Sequence, residues 1–228
     1  MQLNKFNQSV DDIIDFFALL EYVDSIEVYK QITLPKLATH VPLVITSIHQ
    51  KCMRSHAVLM LYNIVESTVV ECILAIYDAI KDEHIKYVEL IDPLRDMWLG
   101  NKMDNNDGRK TRIAKTKRII NDLQSDISFD DKIGRFDGNV DLRLILNVCK
   151  EFKIQLGSIP NKEEVAVSLK TIKDARNHLA HGDITYSSYG SSILLSDIIK
   201  LKDDTLKFLN YFIQVIDSYI RNKKYKAT

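Results

Sequence analysis

Glycine and proline are scarce in this chain, at seven and four residues among 228, well below their usual combined share of roughly 12%. Few turns and long helices follow from that scarcity, and no low-complexity linker is present. An excess of charge of either sign is also missing. Lys+Arg and Asp+Glu balance at 31 each, so no global field draws the protein onto nucleic acid, and any such binding has to come from a local patch. Cysteine is limited to Cys52, Cys72 and Cys149, odd in number and without a C-x-x-C pair, which excludes a disulfide framework and predicts reduced, mostly buried thiols. The chain begins Met-Gln-Leu-Asn-Lys and reaches Asp11-Asp12 before any long apolar run, so no signal peptide is expected. No apolar stretch is read as reaching the ~20 residues of a membrane span. These absences predict a soluble, cytoplasmic protein with no membrane contact.

What is present is helical periodicity. Ser9 with Asp12 reads as the cap of an amphipathic helix to about residue 32, with Ile13, Phe16, Phe17, Leu20 and Val23 on one stripe. Leu34-Pro35 and Val41-Pro42 punctuate the next stretch. Val58, Tyr62, Val65, Val69, Ile73, Ile76 and Ile80 recur every three or four residues, predicting a long core helix from about His49 to Lys81. Further helices are expected over 86–99, with a break at Pro93, over 110–124 with Ile113, Ile120 and Leu123 inward, and over 140–156. Asn161 with Glu164 reads as a capping box for the next helix, and Gly182 as its left-handed stop. Ile184 to Leu195 reads as a candidate short β-hairpin. A last helix spans about 196–222, with Leu206, Leu209, Ile213, Ile216 and Ile220 as its stripe. The expected architecture is one all-α bundle.

Several motifs fail on inspection. Gly100 to Thr111 is too long for a phosphate loop, and Arg109 intrudes before Lys110. Asn105 to Gly108 resembles a calcium loop, but Met103 and Ala114 stand where ligands belong. No G-x-S-x-G elbow exists. The basic run Arg109, Lys110, Arg112, Lys115, Lys117 and Arg118 is spread around a helix and followed by Asp122, Asp126, Asp130 and Asp131, which fits a solvated face.

Chemistry concentrates in Arg176-Asn177-His178-Leu179-Ala180-His181, followed by Gly182. A guanidinium can hold phosphate oxygens with parallel hydrogen bonds, and an imidazole can move a proton near neutral pH. On a helical wheel Val165, Leu169, Ile172, Arg176 and Leu179 share one stripe, so Arg176 occupies a core-like slot and needs a partner. Arg176 and His181 are ~140° apart around the helix. Either the last turn frays, or a second copy of the helix brings its own pair across a two-fold axis. His178 and His181 are spaced as metal ligands can be, but a third ligand would have to come from Asp183 or Glu66 after folding, so no metal or other cofactor is assigned. The plainer alternative is that Arg176 and His181 only cap the helix. Glu66, at the edge of the core stripe, is either a partner for Arg176 or an exposed carboxylate.

Arg176-Asn177-x-x-x-His181 at the end of a helix resembles the R-x(4–6)-H signature of HEPN domains. Leu61-Tyr62-Asn63-Ile64-Val65-Glu66, the A-R-N-x-L-A-H-G run of Ala175 to Gly182 and the closing amphipathic helix resemble the MAE-type HEPN-like nucleases. The resemblance covers about residues 50 to 220. It implies a single HEPN-like domain over 1–228, with an N-terminal helical extension to about residue 40 and a core over about 41–222. It also implies a homodimer through the motif helix and a metal-independent endoribonuclease, often a toxin or antiviral defence effector with an antitoxin or defence-system partner. Arg176, Asn177 and His181 would be catalytic, with His178 and Glu66 supporting. The branch paired with a nucleotidyltransferase antitoxin carries a tyrosine two residues after the histidine. Asp183 stands there instead, so control through that tyrosine is not expected. The competing expectation is a non-catalytic helical dimer that binds RNA or a partner protein.

Overall fold

The computed structural model describes residues 4–27, 31–32, 43–102, 109–123, 125–129 and 139–227. The expectations placed on Leu34-Pro35, Val41-Pro42 and Asn105 to Gly108 lie outside them. Among the described residues the helices are α1 (Asn4–Ser25), α2 (Ser47–Asp82), α3 (Asp92–Lys102), α4 (Arg109–Asp122), α5 (Leu142–Glu151), α6 (Lys162–His181), α7 (Tyr186–Ser192) and α8 (Leu195–Arg221). A 3₁₀ turn covers Tyr87–Glu89, and β1 (Gln31–Ile32) pairs antiparallel with β2 (Leu43–Val44). The all-α expectation holds.

The bundle is organised around α2, whose 36 residues contact α1, α6, α7 and α8. Contrary to the sequence expectation, α2 is long and apolar enough by composition to cross a bilayer. Its environment accounts for this. A helix covered on several sides is apolar nearly all round, and Ala57, Val58, Leu61, Val65, Val69, Cys72, Ile76 and Ile80 are all buried. Thr46 caps its start through a box with His49: Thr46 Oγ1 accepts the His49 N–H, and the Thr46 N–H donates to His49 Nδ1. Histidine takes the place usually held by Glu or Gln, so this start was not legible.

α1 begins earlier and ends earlier than expected, so Ser9 is not its cap. Its end is decided by α2: the Gln50 amide donates to the carbonyls of Val23 and Ile26 at 3.0 Å each. Arg54 forks onto Asp24 with bonds of 2.9 and 2.8 Å. These long-range partners satisfy the terminal carbonyls that a continued helix would have used.

α8 runs in the same direction as α2. Arg54, in the first turns of α2, donates to the Ile193 carbonyl just before α8, and Glu83, just after α2, holds Lys223 just after α8. Leu209 and Ile216 of the α8 stripe are buried, while Leu206, Ile213 and Ile220 are half-buried. Phe208, Phe212 and Tyr219 share the deep side. The chain then folds back, and the Ile91 N–H donates to the carbonyl of the fully buried Tyr225.

Four further expectations are corrected. Pro93 sits in the first turn of α3 rather than breaking a helix, a position that tolerates its missing N–H. In α4, Ile113 and Ile120 are exposed and Ile119 is the buried residue; α4 packs on α3 alone among its larger contacts, at the edge of the bundle. α5 stops at Glu151, with Lys153 in the left-handed region at φ 52°. Asn161 is itself left-handed at φ 49° and makes no side-chain cap.

The fifth correction concerns the stretch after the motif. The candidate hairpin is a helix, α7. Thr185 Oγ1 accepts the Ser188 N–H and opens it, Ser55 Oγ donates to the Tyr186 carbonyl at 2.6 Å, and Gly190 is pressed onto the backbone of Lys51. The β-rich flanks pointed to strands, but the packing surface of α2 overrode that local preference. A Cβ at Gly190 would lie 1.8 Å from the Lys51 carbonyl oxygen, so Gly190→Ala should force α7 off α2. We expect a loss of about 1–3 kcal/mol, read as a lowered urea midpoint; an unchanged midpoint would show that α7 is not seated there.

Candidate functional site

α6 brings the motif arginine against the first half of α2. Its stop is a left-handed Gly182 at φ 75°, with the Asp183 N–H returning to the His178 carbonyl and the Gly182 N–H to the Leu179 carbonyl. These paired bonds satisfy carbonyls of the last turn, as the sequence had suggested. Val165, Leu169, Ile172 and Leu179 are buried on the inward stripe, and Arg176 among them is half-buried.

Arg176 meets the aromatic face of Tyr62 on α2. Its guanidinium carbon lies 5.0 Å from the ring centroid, a cation–π contact. One edge bond is already directed: Nη1 donates to Asn177 Oδ1 at 3.1 Å, and Asn177 Nδ2 donates to Asn139 Oδ1 at 2.9 Å. The Asn177 amide is thus oriented by a relay from Asn139, and it positions the arginine.

Tyr62 is held from its other end, where its hydroxyl accepts the Val140 N–H at 3.3 Å. Burial pushes its phenol above the usual tyrosine range, and the nearby Glu66 carboxylate adds to that. The bond from Val140 and the charges of Arg176 and Lys173 pull it down. Glu66, half-buried one turn further along α2, therefore acts on the same ring that seats Arg176.

Beside this seat, Lys173 and Asp141 pair at 2.7 Å with both side chains largely covered. Asp141 also caps α5 by accepting the Leu144 N–H. Desolvation pushes the Asp141 carboxyl up, but the bonds from Lys173 and Leu144 outweigh it and hold it below the usual range. These contacts, with Asn139–Asn177, clamp the start of α5 along the final turns of α6.

His181, at the last residue of α6, is exposed and makes no hydrogen bond or ion pair with the described residues. Arg176 faces α2, so within one chain the two side chains enter different surroundings. His178 is exposed and its Nδ1 lies 3.2 Å from Asp183 Oδ2. Among the described residues no three His, Cys, Asp or Glu side chains gather in a metal-holding group. The structure thus brings together Arg176 and Asn177; Glu66 lies one turn along α2 from Tyr62, and His178 and His181 are exposed. Sequence reasoning missed Asn139, Asp141, Lys173 and the ring-seat role of Tyr62. Tyr62 was visible only as a member of a core stripe, and nothing in the sequence ties residue 139 to residue 177.

A small all-α bundle with this motif at the end of a buried helix defines the HEPN class. The chain matches the HEPN_MAE_28990-like HEPN family over residues 2–225 and belongs to it. No curated protein and no solved structure matches it.

The clamp gives a test. Asp141→Ala removes a helix cap and strands Lys173, so thermal unfolding should show a loss of about 1–2 kcal/mol. The ion pair should weaken as acid protonates Asp141. Because its folded-state pKa is lowered, this stability is present above the carboxyl's ordinary range and is lost as pH falls through the folded value. If the Asp141→Ala variant and the wild type differ equally at pH 7 and pH 3, the pair contributes nothing.

Proposed function

We propose that this protein is a metal-independent endoribonuclease, acting as a homodimer through its motif helix, with a toxin or antiviral defence role in the cytoplasm. The observation that carries the reading is Arg176: a charged residue on an inward stripe, seated on Tyr62 and oriented by Asn177, with an uncommitted imidazole one turn beyond. Membership of the HEPN family, in which such motifs often serve RNA cleavage, supports it.

RNA carries its own nucleophile. His181 accepts the proton of the 2′-hydroxyl as that oxygen attacks the adjacent phosphorus. Arg176 stabilises the added charge on the phosphorane oxygens. The bond to the 5′-oxygen then breaks and that oxygen takes a proton, from His181 of a second copy or from the same imidazole once charged. The products are a 2′,3′-cyclic phosphate and a 5′-hydroxyl. Among the described residues His181 has no orienting partner, and a second copy across a two-fold axis can supply one. RNA is the substrate, and an antitoxin or defence-system partner would govern the activity.

RNA should be cut in excess EDTA to cyclic-phosphate ends, and DNA should remain intact for lack of the 2′-hydroxyl. His181→Ala should slow cleavage by about 10²-fold or more with little change in melting temperature. Arg176→Ala should cost about 10²–10³-fold. A requirement for added divalent metal would overturn the chemistry. Wild-type protein that leaves varied RNAs whole would instead favour a non-catalytic module that binds RNA or a partner protein.

The assembly is checked separately. Light scattering at micromolar concentration should give a dimer. A wild-type monomer would remove the two-fold arrangement.

A further inference from the structure

Immediately beyond the motif, His56 of α2 and Tyr186 of α7 stack in the open. Their ring centroids are 4.8 Å apart with 24° between planes; His56 is exposed and Tyr186 is 37% exposed. This pair is not what fastens α7. That work is done beneath it, by the Ser55–Tyr186 hydrogen bond and by Gly190 against Lys51. Thr185 caps the helix independently. The rings are therefore a rigid aromatic surface left to solvent, set on a turn that cannot yield.

Its position relative to the motif follows from the chain. Tyr186 is five residues after His181, so their Cα atoms are within about 17 Å. His56 is six residues before Tyr62, ~9 Å along the axis of α2. These spans put the pair within reach of a single-stranded RNA whose phosphate sits at the motif. The electronic state of His56 suits such a role. Its Nδ1 lies 2.7 Å from the Cys52 carbonyl, which can only accept, so Nδ1 carries a proton and Nε2 is the ring nitrogen left for a ligand.

We propose that His56 and Tyr186 form a base-stacking platform for a nucleotide flanking the scissile phosphate. The proposal rests on RNA as the ligand of the motif, and it names the subsite that would hold the chain in register. Unstacked bases are commonly received on exposed aromatic rings. The platform is sequence-tolerant, because every base has a π-face; preference would come from groups able to reach His56 Nε2.

The test measures binding apart from cleavage. A fluorescent 2′-O-methyl hexanucleotide, which cannot be cut by 2′-hydroxyl attack, is titrated with full-length protein alongside a base-free oligomer of the same phosphate count. Tyr186→Ala and Tyr186→Leu should each weaken hexanucleotide binding about 5- to 100-fold and leave the base-free oligomer unaffected. Tyr186→Phe should bind as the wild type does, and His56→Ala should lose affinity in the same base-dependent way. Melting temperatures identify any variant that has lost α7, and Tyr186→Leu keeps the apolar bulk that packing needs. Unchanged binding in Tyr186→Leu, equal losses on both oligomers, or a wild type that ignores the hexanucleotide yet captures a protein would each overturn the platform. Base-dependent binding without cleavage of ordinary RNA overturns the nuclease reading alone, and cleavage with a dispensable Tyr186 overturns the platform alone.

Discussion

Burial of α2 is the constraint on which the other elements depend. One 36-residue helix serves as the common wall for α1, α6, α7 and α8, so each of them needs only one apolar face. Its side chains also reach outward to end its neighbours. Gln50 and Arg54 close α1, Arg54 and Ser55 fasten the segments around α7, and Tyr62 seats Arg176. About four turns of α2, from Gln50 to Tyr62, thus determine where the chain turns and where the motif arginine comes to rest.

That arrangement explains how a cation is kept on an inward stripe without the penalty of an unpaired buried charge. The Tyr62 ring offers attraction to the guanidinium face, and Asn177 takes an edge hydrogen bond. Val140 in turn holds the phenol, and Asn139 the amide. Residues 139–141 therefore touch the seat at three points, counting the Asp141–Lys173 pair. The arginine is held by a contact outside its own helix, whereas His181, the final residue of α6, is exposed and has no polar partner among the described residues. The asymmetry between a seated cation and an exposed imidazole is what the proposed two-copy site rests on.

α2 and α6 both carry imidazoles. His49 is tied into the α2 cap, His56 lies on Tyr186, His178 faces Asp183, and His181 stands alone. Among the described residues these imidazoles thus have different surroundings.

Some of this was written in the order of residues. Three-and-four spacing of Val58 to Ile80 marked the core helix, because burial on one side repeats with the helical period. Gly182 marked the stop of α6 because few other residues accept its backbone angles. The R-x4-H run marked both the family and the candidate site. Other features were decided only by folding. The end of α1 depends on Gln50 arriving from α2, and α7 is helical because a glycine fits against Lys51 where a hairpin would not. Ile113 and Ile120 of α4 are exposed because α4 lies at the bundle's edge. The seat of Arg176 joins Tyr62, Asn139 and Asn177 from three separate parts of the chain. Periodicity reports only which side of a helix is apolar; which partner meets that side, and which carbonyl a distant amide will close, are set by contacts between residues far apart in sequence.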